Sequence, residues 1–204
     1  MRQAVNRSIV QKFVCLAAIA FCGSGALAQD APDNFVGGYA GAELGSIEHH
    51  FYLKAVQDGS TIAGRYFRNW GVGGGAFAGY DFRLTQTWRA GLEAEATFGG
   101  DDNVARFANG TELRLSPRYG YRATVRLGPT LGSRTWLYAL GGYGGNRYRI
   151  SNSAGVADVH QWGSSFVVGV GIEHRLSRRL GLRLDYKHVD NQTHEFLVGL
   201  PIRF

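Results

Sequence analysis

Cysteine and proline are scarce in this sequence. Its 204 residues include two cysteines and four prolines. Both cysteines, Cys15 and Cys22, lie in an apolar segment near the N-terminus. After residue 28 the chain therefore has no thiol, which excludes a disulfide framework and a cysteine-ligated metal centre in the remainder.

A strong excess of one charge is also lacking. Of the 22 lysines and arginines, Arg2, Arg7 and Lys12 fall within the first 28 residues, where there is no acidic residue. Without these three, 19 basic residues stand against 16 acidic ones, and the formal net charge falls from +6 to +3. The remaining basic residues are interspersed with acids and form no patch in the sequence. We therefore predict no nucleic-acid partner.

No apolar run is long enough for a transmembrane helix, which needs about 20 residues. The longest, residues 13–21, follows the three basic residues and precedes Ala26-Leu27-Ala28, a small-x-small cleavage site. An uncleaved membrane anchor is the alternative, but the run is too short for it. We predict a cleaved signal peptide at residues 1–28 for export through the Sec pathway, and a short periplasmic segment at residues 29–34.

Helical spacing of apolar residues is hard to find after residue 28, and alternation with a period of two replaces it. From Trp88 to Phe98, apolar or small residues alternate with charged residues, glycine and threonine. A period of two indicates β-strands. We predict about eight strands, near residues 35–45, 72–82, 88–98, 119–127, 135–150, 162–175, 180–187 and 193–204. In the strand near residues 135–150, glycines at 141–145 leave the register open.

The segments between these strands alternate strictly between short and long. Residues 85–87, 129–134 and 177–179 are short, whereas residues 46–71, 99–113 and 145–160 are long. This alternation is typical of transmembrane barrels, with short periplasmic turns and longer extracellular loops. The four tryptophans fall at strand ends, and we predict that they form aromatic girdles at the membrane interfaces: Trp70, Trp88, Trp136 and Trp162.

Charged residues occupy the face of each strand that is opposite its apolar residues. Alternation alone does not decide which face points inward. In a lipid-embedded barrel the polar face lines the interior. We therefore predict an all-β fold, an eight-stranded antiparallel transmembrane β-barrel over residues 35–204, whose lumen holds a charge network of Glu93, Glu95, Arg122, Arg126, Glu173, Arg183 and Asp185. In this network we expect Arg122 and Arg126 to compensate Glu93 and Glu95.

Five stretches carry a resemblance to a known family: GAFAGYDF at residues 75–82, GLEAE at 91–95, VGVGIE at 168–173, LRLDY at 182–186 and the closing residues 193–204. Together they resemble the small porin-like outer-membrane β-barrel proteins and surface antigens of Gram-negative bacteria, with the architecture of the OmpA transmembrane domain. The resemblance implies an outer-membrane location among lipid and lipopolysaccharide. It also implies that Phe204 is the terminal aromatic signal read by the barrel-assembly machinery. Pro201 departs from the pattern because it lacks a backbone N–H.

Three short motifs suggest other activities. Residues 71–76 match a G-x-G-x-x-A dinucleotide-binding pattern, but no helical pattern follows. Glu48-His49-His50 could bind a metal or haem, or be a solvated loop segment. His188-Val189-Asp190 resembles the His-x-Ser of a lipid A deacylase, with Asp where the nucleophile belongs.

From these residues we predict a structural, surface-exposed protein that contributes to envelope integrity and surface interactions. We predict no enzymatic activity, no cofactor and no metal. The alternatives are a narrow porin, a loop-mediated binder of a ligand such as haem, and, less favoured by the motif, a lipid A-modifying enzyme. A further candidate partner is an extracellular ligand that binds through the loops.

Overall fold

A computed structural model describes residues 35–57, 60–106, 112–153, 158–189 and 193–204. The expected signal peptide and periplasmic segment at residues 1–34 lie outside the described residues. So do the centres of the three expected loops, at residues 58–59, 107–111 and 154–157, and Asp190 of the deacylase-like motif. Within the described residues, no helix is long and apolar enough to cross a membrane.

The described residues form a series of β-strands. Their bounds are β1 Gly37–Gln57, β2 Ser60–Arg83, β3 Trp88–Gly99, β4 Asn103–Arg106, β5 Glu112–Leu131, β6 Thr135–Asn152, β7 Val159–Arg175, β8 Gly181–Val189 and β9 Thr193–Arg203.

These strands close into one antiparallel barrel. Apart from β3 and β4, consecutive strands pair along the sheet, β9 pairs with β1, and β3 closes the barrel by pairing with β5. β3 and β4 both pair with β5 and form one crossing, interrupted at residues 100–102. Gly99 and Gly100 adopt positive φ angles of 104° and 88° at this break, a conformation that favours glycine. Counting β3 and β4 as one crossing, the predicted eight-stranded barrel is confirmed.

Side chains alternate between the two faces of the barrel wall, as successive residues of any β-strand do. The outward positions are mainly apolar and exposed, for example Leu92, Val125 and Leu184, whose exposed fractions are 54%, 51% and 51%. The inward positions carry buried charged and aromatic residues. This is the reverse of a water-soluble barrel, and it matches a wall that contacts lipid.

The short turns lie at one end of the barrel and bring the strands back tightly. In the first, the Thr85 hydroxyl accepts hydrogen bonds from the backbone N–H groups of Thr87 and Trp88, at 3.2 and 3.0 Å. In the third, the Ser177 hydroxyl accepts one from the N–H of Leu180 at 3.1 Å. Side-chain acceptors of this kind are typical of tight turns. We call this end the turn end and the opposite end the loop end.

The segments that the sequence predicts as long loops are largely strand, so that prediction was wrong for most of their residues. β1 and β2 pair through most of residues 46–71, and β6 and β7 extend to Asn152 and from Val159. A membrane-spanning strand needs about 9–11 residues, so β1, with 21 residues, extends well past it. In residues 46–71 the sequence no longer alternates apolar with polar residues, so the period of two that predicts a strand is lost.

Candidate functional site: the charged interior of the barrel

The interior of the barrel contains seven buried acids and seven buried cations among the described residues. The acids are Glu43, Asp81, Glu93, Glu95, Glu173, Asp185 and Glu195, and the cations are Arg89, Arg122, Arg126, Arg175, Arg183, Lys187 and Arg203. Each lies at an inward position of its strand, so the alternation that places apolar residues on the outside places these groups inside. The two sets balance in formal charge.

Arg183 of β8 lies at the centre of this network. Its guanidinium donates to Glu93 of β3 and to Glu43 of β1, each at 2.5 Å. Its Nε lies 3.0 Å from a carboxylate oxygen of Asp185, and its Cζ is 3.5 Å from the centre of the Phe77 ring. One buried cation therefore links carboxylates from strands on opposite sides of the barrel.

Lys187 of β8 joins the next carboxylates toward the loop end. Its ammonium group donates to Glu43 at 3.2 Å and also to Glu95. Because Glu43 also accepts from Arg183, it lies between two cations. Sharing of this kind reduces the cost of burying each charge, which is high for an unpaired ion.

Toward the turn end, Arg126 and Arg203 share carboxylates with each other. Arg126 donates to both oxygens of Asp81 at 2.8 and 3.0 Å, and Arg203 donates to Asp81 at 2.6 Å. Arg203 also reaches both oxygens of Glu173 at 3.1 and 3.3 Å. This group ties the last strand, β9, to β2, β5 and β7.

Toward the loop end, Arg122 pairs with Glu195. The Arg122 guanidinium also donates to the side-chain oxygen of Asn146 and to the backbone carbonyl of Gly145, each at 3.0 Å. Beyond this layer a cavity of about 10 Å³ remains, lined by residues that include Ile47, His49 and Thr97. That volume is about the minimum that holds one water molecule.

Aromatic rings surround Arg126 and separate it from solvent. Its Cζ lies 4.7 Å from the ring centres of Tyr39 and Trp136 and 4.9 Å from that of Tyr138. The hydroxyl of Tyr39 donates to Glu93 at 2.9 Å, and that of Tyr138 donates to Asp185 at 2.6 Å. The rings thus provide cation–π contacts and satisfy two further carboxylate oxygens.

Trp136 corrects the predicted girdle. Its side chain is fully buried in the lumen, and its indole N–H donates to the carbonyl of Gly128 at 3.1 Å. Trp70, Trp88 and Trp162 lie on the outside with exposed fractions of 39%, 44% and 46%. Near Trp136, β6 is apolar on both faces, and the outward neighbour of Trp136 is Leu137. The location of Trp136 beside a turn therefore did not predict whether its side chain points inward or outward.

Inward glycines provide the space that the charged side chains fill. A Cβ built at Gly171 would overlap with the Asp185 carboxylate and the Tyr138 ring, and one at Gly91 would overlap with the Asp81 carboxylate. The glycine-rich strands therefore follow from the bulk of the network, because an eight-stranded barrel has an interior just wide enough for side chains.

All seven residues of the predicted charge network lie in the interior. Seven further buried charges that the prediction missed also lie at inward positions: Glu43, Asp81, Arg89, Arg175, Lys187, Glu195 and Arg203. For β8 and β9 the sequence contained the signal that would have identified them: Lys187, Glu195 and Arg203 alternate with exposed apolar residues.

The partners within the network differ from the expected ones. We expected Arg122 and Arg126 to compensate Glu93 and Glu95. Glu93 instead accepts from Arg183, with Arg126 at 3.5 Å, and Glu95 accepts from Lys187. Periodicity identifies the inward face of each strand, but which side chains meet across the lumen depends on how the strands are staggered.

The alternative motifs do not form sites of the kinds they suggested. Glu48 and His50 lie on the face of β1 opposite His49, and Glu48 is buried in an ion pair with Arg68, so the three do not face one group together. Residues 71–76 are part of β2 and precede no helix. His188 lies beside His194, with their Nδ1 atoms 3.3 Å apart. Among the described residues, no three His, Cys, Asp or Glu side chains converge as a metal site requires.

Comparison with known proteins identifies relatives of this barrel. Residues 13–204 match the family model described as "Outer membrane protein beta-barrel domain". The chain is 29% identical over 192 residues to outer membrane protein A of Serratia marcescens, covering 89% of this chain and 50% of that protein. It is 25% identical over 175 residues to the 22 kDa outer membrane protein of Rhizobium leguminosarum bv. viciae, covering 83% of this chain and 72% of that protein.

Solved structures of similar barrels include Neisserial surface protein A, with a TM-score of 0.49 and 16% identity over 82% of this chain and 97% of that one. The attachment invasion locus protein Ail of Yersinia pestis gives a TM-score of 0.44 and 13% identity over 82% of this chain and 99% of that one. The chain spans about half the length of the outer membrane protein A relatives that it matches. The chain belongs to the outer membrane protein beta-barrel domain family and is an outer-membrane β-barrel protein of the Gram-negative type.

Proposed function

We propose that this protein is a structural, surface-exposed barrel of the outer membrane whose lumen is closed by the charge network. In this role it contributes to envelope integrity and presents its loop end to the outside of the cell. Residues 1–28 would direct export and be removed, and residues 35–204 would insert as the barrel with the help of the assembly machinery. Its constant partners are outer-membrane lipid and lipopolysaccharide.

One observation carries this proposal: the interior is occupied by paired charges from every side of the wall. Arg183 alone contacts Glu43, Glu93 and Asp185. Opening a pore would separate such pairs, and leaving a buried charge without its partner costs about 3–5 kcal/mol. A narrow porin needs an open water path, which this interlocked arrangement opposes.

An enzymatic role has less support. The deacylase-like segment offers His188, and the residue two places later is Asp190 rather than a serine. Acyl transfer needs a nucleophile activated by a base within hydrogen-bonding reach. We therefore assign the protein no catalytic function.

Conductance of the refolded barrel tests the closed lumen. In planar lipid bilayers the wild-type barrel should pass no large, steady current. The double variant Arg122→Ala, Arg126→Ala should leave Glu195 without its cation partner and Asp81 with Arg203 alone, admit water and raise the small conductance. The control is Arg178→Ala, Arg179→Ala, which changes two exposed arginines at the turn end.

Heat-modifiable mobility on gels would verify that each variant is folded before the recording. Large, steady wild-type currents would favour the porin alternative. If the double variant has unchanged conductance and unchanged stability, the charge network does not close the lumen.

A further inference from the structure

A group of arginines lies on the outer wall near the loop end, away from the lumen. Arg114 is on β5, Arg118 follows it at a β-bulge between Pro117 and Tyr119, and Arg147 and Arg149 are on β6. We call these four residues the arginine rim. The strand register places Arg114 opposite Ser151, Ser116 opposite Arg149, and Tyr119 opposite Arg147.

The arginine rim faces outward. Leu115 and Tyr148, which alternate with rim residues along β5 and β6, are buried in the interior with exposed fractions of 7% each. Side chains alternate across a strand, so Arg114, Arg147 and Arg149 leave the wall on the side that contacts lipid further down. Arg114 and Arg149 keep 51% and 41% of their side chains exposed despite their ion pairs.

The charge of the rim is only partly compensated. Arg114 donates to Asp102 at 3.0 Å, and Arg149 donates through Nε to Asp158 at 2.8 Å. Arg147 donates to the hydroxyl of Tyr119 at 2.8 Å, which leaves its charge unneutralised there. Arg118 has no carboxylate within ion-pair distance among the described residues. Four arginines against two carboxylates leave a local excess of two positive charges.

A cavity lies within the rim. Its volume is about 390 Å³, and it is lined by Arg114, Arg118 and Arg149 together with Asp102, Ser116 and Ser151. That size falls in the range of roughly 300–1,000 Å³ typical of small-molecule sites. Guanidinium and hydroxyl groups are donors that match phosphate oxygens, and arginine can bind phosphate through two parallel hydrogen bonds.

Aromatic residues beside the rim mark the level of the membrane interface. Tyr119, Tyr121 and Trp162 are outward. The ring centres of Tyr119 and Tyr121 lie 5.6 and 5.8 Å from that of Trp162. Aromatic girdles lie at the depth of lipid headgroups. The rim therefore lies at the height, and on the side of the wall, where a headgroup in the outer leaflet would be.

We propose that the arginine rim is a docking site for the phosphate groups of a phosphorylated glycolipid of the outer leaflet. Basic clusters at the membrane surface attract anionic headgroups, with about 1 kcal/mol per basic residue. The position on the outer wall, directly beside the aromatic residues, favours a lipid headgroup over a soluble polyanion, which would reach the tips of the loops more easily. The inference rests on the proposed topology, with the loop end in the outer leaflet.

The test titrates lipid A into the folded full-length barrel in detergent and measures bound lipid by native mass spectrometry. The variant is Arg118→Gln, Arg147→Gln, because neither residue holds a carboxylate of the rim. The control is Arg134→Gln, Arg178→Gln, which removes two exposed arginines at the turn end. We expect bisphosphorylated lipid A to bind wild type and control about equally and the rim variant at least about tenfold more weakly, as the loss of a charge-assisted hydrogen bond implies.

Two further arms separate the sources of the anion. Lipid A with its phosphates removed should bind the wild-type barrel about tenfold more weakly than the bisphosphorylated form, and heparin, a soluble sulfated polysaccharide, should not displace bound lipid A. Equal binding of the two lipid A forms would overturn the role of phosphate. Displacement by heparin at equal affinity would assign the rim to a soluble glycan, and unchanged binding by the folded rim variant would overturn the site.

The lipid titration does not depend on conductance. A wild-type barrel that conducts large currents but still binds lipid A through Arg118 and Arg147 would contradict the closed lumen and leave the docking site supported. A barrel that passes no large current, but whose folded rim variant binds lipid A as tightly as wild type, would support the closed lumen and contradict the docking site.

Discussion

Arg183 illustrates how a single residue organises the interior. It contacts carboxylates of β1, β3 and β8 and stacks on Phe77. Burying one cation is costly in a low-dielectric interior, but several carboxylates that are themselves buried offset that cost together. The same arrangement makes the site sensitive, because removing the cation leaves more than one anion poorly compensated.

Removing the charge of Arg183 should destabilise the barrel. Arg183→Met keeps an unbranched side chain beside Phe77 but removes the charge, and it should lower the free energy of unfolding by about 3–5 kcal/mol. Urea unfolding of the barrel in phosphatidylcholine vesicles, followed by tryptophan fluorescence, measures this change. The matched control is Arg179→Met, at an exposed position in the turn before β8. It should change the free energy of unfolding by less than about 0.5 kcal/mol.

A compensating substitution sharpens the test. Glu93→Gln added to Arg183→Met removes a carboxylate that the single variant leaves with Arg126, at 3.5 Å, as its cation partner. The double variant should therefore be more stable than Arg183→Met alone. If it is less stable, the loss comes from packing beside Phe77 rather than from unpaired charge.

At the scale of elements, the C-terminal strand β9 closes the barrel. It pairs with β8 on one side and with β1 on the other, and it continues through Pro201, which lies opposite Gly41. Proline in a paired strand forfeits one ladder hydrogen bond. Two side chains of β9 also hold the strand in place from inside the lumen, because Arg203 binds Asp81 and Glu195 binds Arg122.

Phe204 contributes little to that closure. Its backbone N–H donates to the carbonyl of Gly38 at 3.2 Å, and its side chain is 73% exposed. Deleting Phe204 should therefore lower the free energy of unfolding in vesicles by only about 1 kcal/mol, the usual net value of one hydrogen bond. If the terminal aromatic is the signal read by the assembly machinery, the same deletion should strongly lower the amount of folded barrel in cells.

The two measurements together distinguish a signal from a structural role. Folded barrel is measured in cells by heat-modifiable mobility and in vesicles by urea unfolding, with Phe204→Tyr as the conservative control. Normal cellular yield of the deletion variant would contradict the signal role. A large loss of stability in vesicles would assign the residue a structural role instead.

At the scale of the whole molecule, the two ends of the barrel differ. The turn end has short connections, and the loop end carries strands of up to 24 residues, as in β2. Short turns on the periplasmic side and longer extensions outside are typical of outer-membrane barrels. This asymmetry predicts the orientation of the chain in the membrane.

Cysteine labelling of intact cells tests the orientation. The chain has no cysteine after Cys22, so Ser153→Cys at the loop end and Ser133→Cys at the turn end each introduce a unique thiol if the first 28 residues are removed. A membrane-impermeant maleimide should label Ser153→Cys on intact cells and Ser133→Cys only after the outer membrane is permeabilised. Labelling of Ser133→Cys alone on intact cells would reverse the topology.

The sequence by itself determined which way most side chains point. Exposed apolar residues such as Leu182, Leu184 and Val198 alternate with Arg183, Asp185 and Glu195 along their strands. That alternation is a local property, because each residue of a strand faces opposite to its neighbours. The approximate strand count and the inward face of most strands follow from it.

Only the tertiary structure decided which inward groups meet. Arg122 reaches Glu195, 73 residues away, and Arg183 reaches Glu43, 140 residues away. These partners depend on the tilt and stagger of strands in the closed barrel, which are set jointly by all eight crossings. The inward orientation of Trp136 was also decided by the tertiary structure. Its strand is apolar on both faces, and only closure of the wall fixes which face is inside.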